Sequence, residues 1–139
     1  MINAESVSRR DAEIIENLLS EQVLDAAIKV HRTLGGPGLL KSLYEDALFY
    51  ELKLRQIPAL SQVQVPVIYK NFKLRDPMRL DILVDNKVII EVKATENVSA
   101  VHKAQVLTYL RLTNLKLGLV INFGQGRLID GWGRVVNNL

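Results

Sequence analysis

Three charged residues stand where a strand built only for burial would not carry them. The run from Leu80 to Lys93 contains two apolar stretches, Leu80 to Val84 and Val88 to Val92; Asp81 interrupts the first, Glu91 lies inside the second and Lys93 follows it. With Asp85-Asn86-Lys87 between them, the two stretches predict β-strands joined by a tight hairpin turn. Residues two apart on a strand share a face about 6–7 Å from one another. Glu91 and Lys93 therefore stand together, and Ile90 and Val92 point the other way. If the hairpin turns about Asp85-Asn86, Asp81 reaches the height of Glu91 on the neighbouring strand, and two carboxylates converge beside an ammonium. Oxygen donors of this kind suit a hard divalent cation such as Mg²⁺, which takes one or two protein carboxylates and keeps several waters. A lysine beside them can hold or activate a water next to the ion.

The composition sets the frame for this chemistry. At 139 residues the chain is expected to be one domain, large enough to bury a layered core without staples. It contains no cysteine, which excludes thiolate catalysis, disulfide exchange and a Cys-based zinc site. No apolar run has the length of a membrane span, and Met1 to Arg10 lacks the apolar core of a secretory signal, so no membrane partner and a cytoplasmic location are expected. The net charge of +3 is spread without a dense run and permits a polyanionic partner without demanding one. No internal repeat or low-complexity tract is visible.

The flanking elements must position the three charges. Ser8 with Asp11 suits a helix N-cap, and Ile14, Ile15, Leu18 and Leu19 give a turn or two of amphipathic helix. A helix carrying Val23, Ala27, Val30 and Leu34 continues it or starts anew at Ser20, and Gly35-Gly36 stops it. His31, near its end, has no second ligand at a fixed offset. Gly35 with Lys41-Ser42 nearly fits a phosphate-cradling loop, but Leu40 stands at the second glycine position and a helix precedes where a strand is required, so a nucleoside triphosphatase is rejected. Leu39 to about Arg55 predicts the next helix, ended by Ile57-Pro58. On it Lys41 and Glu45 are four apart and can form a surface ion pair. Leu60 to Lys70 predicts a half-buried strand with Pro66 favouring an edge, Asn71 a turn, Phe72 to Leu74 the start of another strand, and Asp76-Pro77 a break. Val98 to Leu112 has helical spacing. Val98, His102, Gln105 and Tyr109 fall in one sector of it and Val106, Leu107 and Leu110 in another. Such a polar stripe is usually a solvated face. Lys116 to Phe123 predicts a buried strand, and Leu128 to Val136 a last strand, with Trp132 expected first as a core residue, then as a subunit contact, then as a base-stacking ring.

Asp81, then nine residues, then Glu91-Val92-Lys93 resembles the D-x(n)-E-x-K core of the PD-(D/E)XK nuclease superfamily. With Gly38-Leu39-Leu40-Lys41-Ser42-Leu43-Tyr44-Glu45 upstream and Gln105-Val106-Leu107-Thr108-Tyr109 downstream, the chain is similar to the small bacterial GxxExxY proteins of that superfamily, from about Leu24 to Asn137. Leu80 replaces the proline of the superfamily's name, and Lys41 stands where the GxxExxY signature has glutamate. The resemblance implies that Asp81 and Glu91, with the Val92 carbonyl and Glu45, hold Mg²⁺ or Mn²⁺, and that Lys93 positions the attacking water. It implies that Gln105 and Tyr109 form a Q-x-x-x-Y pair facing the site, as in the RecB-like and lambda-exonuclease-like branches, where the glutamine orients the lysine or the metal shell and the tyrosine supports the phosphate or DNA strand. Lys41, Lys93 and Tyr109 become candidate nucleic-acid contacts.

The expected fold is α/β: a three-layer α/β/α sandwich with a mixed central sheet and a restriction-endonuclease-like core. The implied function is a Mg²⁺-dependent phosphodiesterase acting on nucleic acid, DNA in the first instance. The alternative is a nuclease-fold module that binds nucleic acid or a protein without cutting, for which the Lys41 departure speaks. A homodimer is expected by analogy with small domains that pair to span a duplex.

Overall fold

A computed structural model describes residues 9–97 and 100–139. The expected cap at Ser8 and the first residue of the polar stripe, Val98, lie outside the described residues. Helix α1 runs unbroken over Arg9–Thr33. No glycine or proline interrupts those residues, and Leu19, Val23, Ala26, Ala27 and Val30 recur at helical spacing as one buried stripe, so the two candidate helices are one. Gly35 and Gly36, at φ 87 and 90, let the chain fold back on the last turn, where the Gly36 N–H donates to the His31 carbonyl at 2.8 Å. Helix α2, Lys41–Leu54, buries Tyr44, Leu48 and Leu52 at four-residue steps. Tyr44 stacks on Phe123 with centroids 4.8 Å apart, and its hydroxyl donates to the Gly36 carbonyl at 2.7 Å.

The strands are β1 (Ala59–Val65), β2 (Ile68–Tyr69), β3 (Phe72–Lys73), β4 (Met78–Val84), β5 (Val88–Lys93), β6 (Leu117–Asn122) and β7 (Trp132–Val136), with helix α3 (Ala100–Thr113) between β5 and β6. Five of them form one sheet in the order β1-β4-β5-β6-β7. Among the described residues its only parallel contact is β5 with β6, as a crossover through α3 requires. One apolar core lies between the sheet and α1 with α2, and a second between the other face and α3. The architecture is therefore the expected three-layer α/β/α sandwich with a mixed sheet.

Two strand expectations need correction. The stretch expected as one strand from Leu60 to Lys70 breaks at Pro66, which has no N–H for a ladder. Beyond it β2 and β3 form a separate two-stranded hairpin about Lys70-Asn71. The last strand begins only at Trp132, because Leu128–Gly131 makes a turn of 3₁₀ helix. Trp132 is half-buried and packs against the first core. Gly118 on β6 lets α3 dock closely, since a Cβ there would meet Cγ1 of Val106 at 2.3 Å.

Candidate active site

The site lies in a fork where β4 and β5 part. A turn joins the two strands, with the Lys87 N–H donating to the Val84 carbonyl at 2.9 Å and Asp85 and Asn86 at φ 49 and 54. Positive φ at both central positions is the hairpin geometry that Asp and Asn tolerate best. The ladder pairs Val84 with Val88, Leu83 with Ile89 and Ile82 with Ile90, and then ends. At the next level carboxylates take over its role. The Asp81 N–H donates to Oε1 of Glu91 at 3.3 Å, and the Val92 N–H donates to Oδ2 of Asp81 at 2.9 Å. Each acid is held by the backbone of the other's strand.

β4 also turns over at this point. Ile82 and Val84 belong to the core under α1 and α2, whereas Met78 and Leu80 belong to the core under α3, although a regular strand keeps all four on one face. β1 does the same, with Ala59 on the first core and Val63 and Val65 on the second. Ser61 pairs with Ile82 and Val63 with Leu80, so Gln62 lies opposite Asp81, and it has φ 53. A non-glycine residue in that region costs about 1–2 kcal/mol. The strain places the Gln62 side chain in the cleft, where its Nε2 donates to Oε2 of Glu45 and its Oε1 accepts from Nη1 of Arg79 at 3.1 Å.

Around the fork is a cleft of about 580 Å³ lined by Lys41, Glu45, Gln62, Arg79, Asp81, Glu91, Lys93 and Gln105, with Ser42, Asp46 and Ser61 at its margin. Glu91 and Lys93 face α3, while Ile90 and Val92 lie in the opposite core. Lys41 reaches in from the first turn of α2, with Nζ 3.1 and 3.0 Å from the two Asp81 oxygens and 3.8 Å from Oε1 of Glu45. The expected Lys41–Glu45 pair is thus present but long, and the shorter contact is to Asp81. Burial pulls the Lys41 ammonium down, but the hydrogen bond and charge of Asp81, with Glu45 and Glu91, outweigh it and hold its pKa above the usual lysine value.

On α3, Val106 and Leu110 are buried against the sheet and Gln105 turns to the cleft, its Nε2 donating to the Tyr109 hydroxyl at 2.9 Å. Burial and then the charge of Glu91 raise the Tyr109 phenol, against a downward pull from Gln105. Burial and then the positive charge of Lys93 lower the His102 imidazole. The structure thus gathers Asp81, Glu91, Lys93, Lys41, Glu45 and Gln105 about one cleft, with Tyr109 joined through Gln105. His31 lies elsewhere, its Nε2 bonded to the Gln125 carbonyl at 2.9 Å beside a separate cavity of about 450 Å³ at the end of α1.

The donor set fits a hard cation in an open site. Asp81, Glu91 and Glu45 are only 5 %, 5 % and 7 % exposed. Burial and the neighbouring Asp81 charge push the Glu91 carboxyl up to about 7, against smaller downward contributions from the Asp81 N–H, Lys41 and Lys93. Two acids that cannot comfortably ionise together are relieved by a divalent charge between them. Among the described residues no three Asp, Glu or His side chains close into a complete cage. Mg²⁺ needs no such cage, because waters complete its shell. The Lys41 ammonium already lies on Asp81, and its side chain is 42 % exposed, with room to swing toward solvent. Glu45 is turned to Gln62 and Lys41, so its direct role as a ligand requires that rearrangement.

Two cleft residues escape a sequence reading. Gln62 sits on the polar side of an alternating strand and resembles any solvent-facing glutamine; only its φ reveals its place. Arg79, two residues before Asp81, reads in the sequence only as the start of a strand; the signal that could have found it is strand alternation, which puts it on the Asp81 face.

Among the described residues no helix is long and apolar enough to cross a membrane. No curated protein matches the chain. The crystal structure of SSO0001 is similar over 91 % of this chain and 62 % of its own, with a TM-score of 0.54 at 16 % identity. This chain therefore spans less than two thirds of that protein's length, and the likeness is one of fold. A sequence model of the PD-(D/E)XK nuclease superfamily matches residues 17–135, which take in both strands of the fork, α2 and α3. On that match, the chain belongs to the PD-(D/E)XK nuclease superfamily.

Proposed function

We propose that the chain is a Mg²⁺-dependent nuclease that hydrolyses phosphodiester bonds of nucleic acid, DNA in the first instance, with Mn²⁺ able to replace Mg²⁺. The observation that carries this is the fork itself: two buried carboxylates fixed by each other's backbone, with the Lys93 ammonium on the Glu91 face. Asp81 and Glu91 hold the ion, with the Val92 carbonyl and Glu45 as further donors once Lys41 moves aside. When bound, the ion neutralises charge on the phosphate and lowers the pKa of a water beside it. Lys93 orients the attacking water and offsets charge as the phosphorus becomes crowded. The water oxygen bonds to phosphorus and gives up a proton to solvent, the bond from phosphorus to the leaving oxygen breaks in line, and that oxygen takes a proton from solvent. Gln105 steadies Lys93 and Tyr109, and Tyr109 and Lys41 contact the strand.

The test is cleavage of labelled single- and double-stranded DNA and RNA with Mg²⁺ or Mn²⁺, beside Lys93→Ala. Metal-dependent cutting that disappears in the variant is expected. Absence of cutting together with absence of metal binding would replace this reading by a non-cleaving module. The observation on that side is the Lys41 ammonium lying on both Asp81 oxygens.

A further inference from the structure

The β2–β3 hairpin is small, yet it carries two large exposed rings. Tyr69 and Phe72 are 61 % and 68 % exposed, and they are direct cross-strand partners, so they stand side by side on one face. Lys70 and Asn71 form the turn between them at φ 47 and 69, and the Lys70 ammonium lies 5.6 Å from the Tyr69 centroid. The hairpin is anchored at its base, where the Leu74 N–H donates to the Val67 carbonyl at 2.9 Å and Val67 packs against the α3-side core.

The charge is as uneven as the exposure. Residues 68–79 contain Lys70, Lys73, Arg75 and Arg79 against Asp76 alone, so this short segment carries a net charge equal to the +3 of the whole chain. The remainder is balanced. The segment also leads into the cleft, since Arg79 lines it and β4 runs on from Met78 to Asp81, a distance of about 10 Å. Exposed flat rings interleaved with cations match a partner that has negative charge at regular intervals and flat faces between. A duplex hides those faces in its stack; a single strand presents them.

We propose that the β2–β3 hairpin is a stacking platform for single-stranded nucleic acid. Tyr69 and Phe72 receive bases, while Lys70, Lys73 and Arg75 hold the phosphates that lead toward Arg79 and the carboxylate fork. The proposal rests on the nuclease reading for its direction along the cleft but not for the binding itself.

Binding is therefore measured without cutting, in EDTA, by anisotropy of a fluorescein-labelled oligothymidylate of about twelve nucleotides, with oligouridylate and a duplex of the same length for comparison. Tyr69→Ala and Phe72→Ala should each weaken single-strand binding by about 5- to 150-fold, while Tyr69→Phe and Phe72→Tyr keep most of it. A 2-aminopurine base in the strand should lose fluorescence on binding to the unmutated protein and not to the alanine variants. Both rings are exposed, so the variants should melt at the unmutated temperature. Unchanged affinity in both alanine variants overturns the platform. So does preference for the duplex, or absence of single-strand binding by the unmutated protein. Sedimentation showing that the alanine substitutions break a dimer without changing DNA affinity overturns it in favour of a second copy of the chain. Failure to cleave in Mg²⁺ with single-strand binding intact sinks the nuclease reading alone.

Discussion

Glu91→Gln should stabilise the protein at alkaline pH and leave it unchanged in acid. The Glu91 carboxyl titrates near 4.5 when unperturbed and at about 7 in the fold, because it is buried beside Asp81. Its folded-state pKa is raised, so between those values the native state binds more protons than the unfolded chain. Stability is then fully present below pH 4.5 and is lost as the pH rises through 7. At about 1.4 kcal/mol per pH unit the loss is on the order of 3 kcal/mol by pH 8, a large share of a small domain's stability. Glutamine keeps the oxygen that accepts the Asp81 N–H and never ionises. Urea denaturation in EDTA should therefore show the variant about 2–3 kcal/mol more stable than the unmutated protein at pH 8, and the two within about 0.5 kcal/mol at pH 4. Mg²⁺ at about 100 times its dissociation constant should return about 2.7 kcal/mol to the unmutated protein at pH 8, with little effect on Glu91→Gln. A variant that is less stable at pH 8, or a difference independent of pH, would refute the idea that buried negative charge defines this site.

Other outcomes follow from the same geometry. Metal affinity measured by Mn²⁺ titration should fall by about tenfold for each pH unit below 7, because the proton on Glu91 must leave before the ion is held. Lys41→Gln should tighten Mn²⁺ binding by about fivefold, since the ion no longer displaces a half-exposed ion pair of about 1 kcal/mol; unchanged affinity would show that Lys41 does not compete. Gly118→Val should cost about 1–3 kcal/mol in denaturation, because the new side chain meets Val106. Equal stability would mean that α3 shifts freely on β6.

The hairpin and the facing of its charges were legible because they depend on the two-residue period of a strand and on Asp85-Asn86, both local properties. Continuing the register that pairs Ile82 with Ile90 puts Asp81 opposite Glu91, the level expected from that turn alone. The stripe of Gln105 and Tyr109 was legible for a similar reason, as Val106 and Leu110 fix which side of α3 is buried. The reversal of β1 and β4 at Gln62 and Asp81 was not legible, because it arises from the fit of two strands to two cores and no single residue announces it. The path of Lys41 is likewise tertiary: its neighbour in sequence, Glu45, is 3.8 Å away, and the closer partner is forty residues along the chain. Lysine in place of the signature glutamate was visible, but that it would lie on Asp81 was not.

The fork makes architecture and chemistry share atoms. Where the β4–β5 ladder ends, the Asp81 carboxylate accepts from the Val92 backbone and the Glu91 carboxylate accepts from the Asp81 backbone. Replacing Asp81 by alanine removes a proposed metal ligand and leaves the buried Val92 N–H without its acceptor, at about 1–3 kcal/mol. Such a variant is therefore a poor blank for catalysis, since its silence reports on folding as much as on function. Lys93, half-buried at the last residue of β5, can be replaced without opening the sheet. The same sharing limits how the family's site can decay: a descendant that loses the reaction still needs acceptors at the fork, so the acids can outlive the activity they once served.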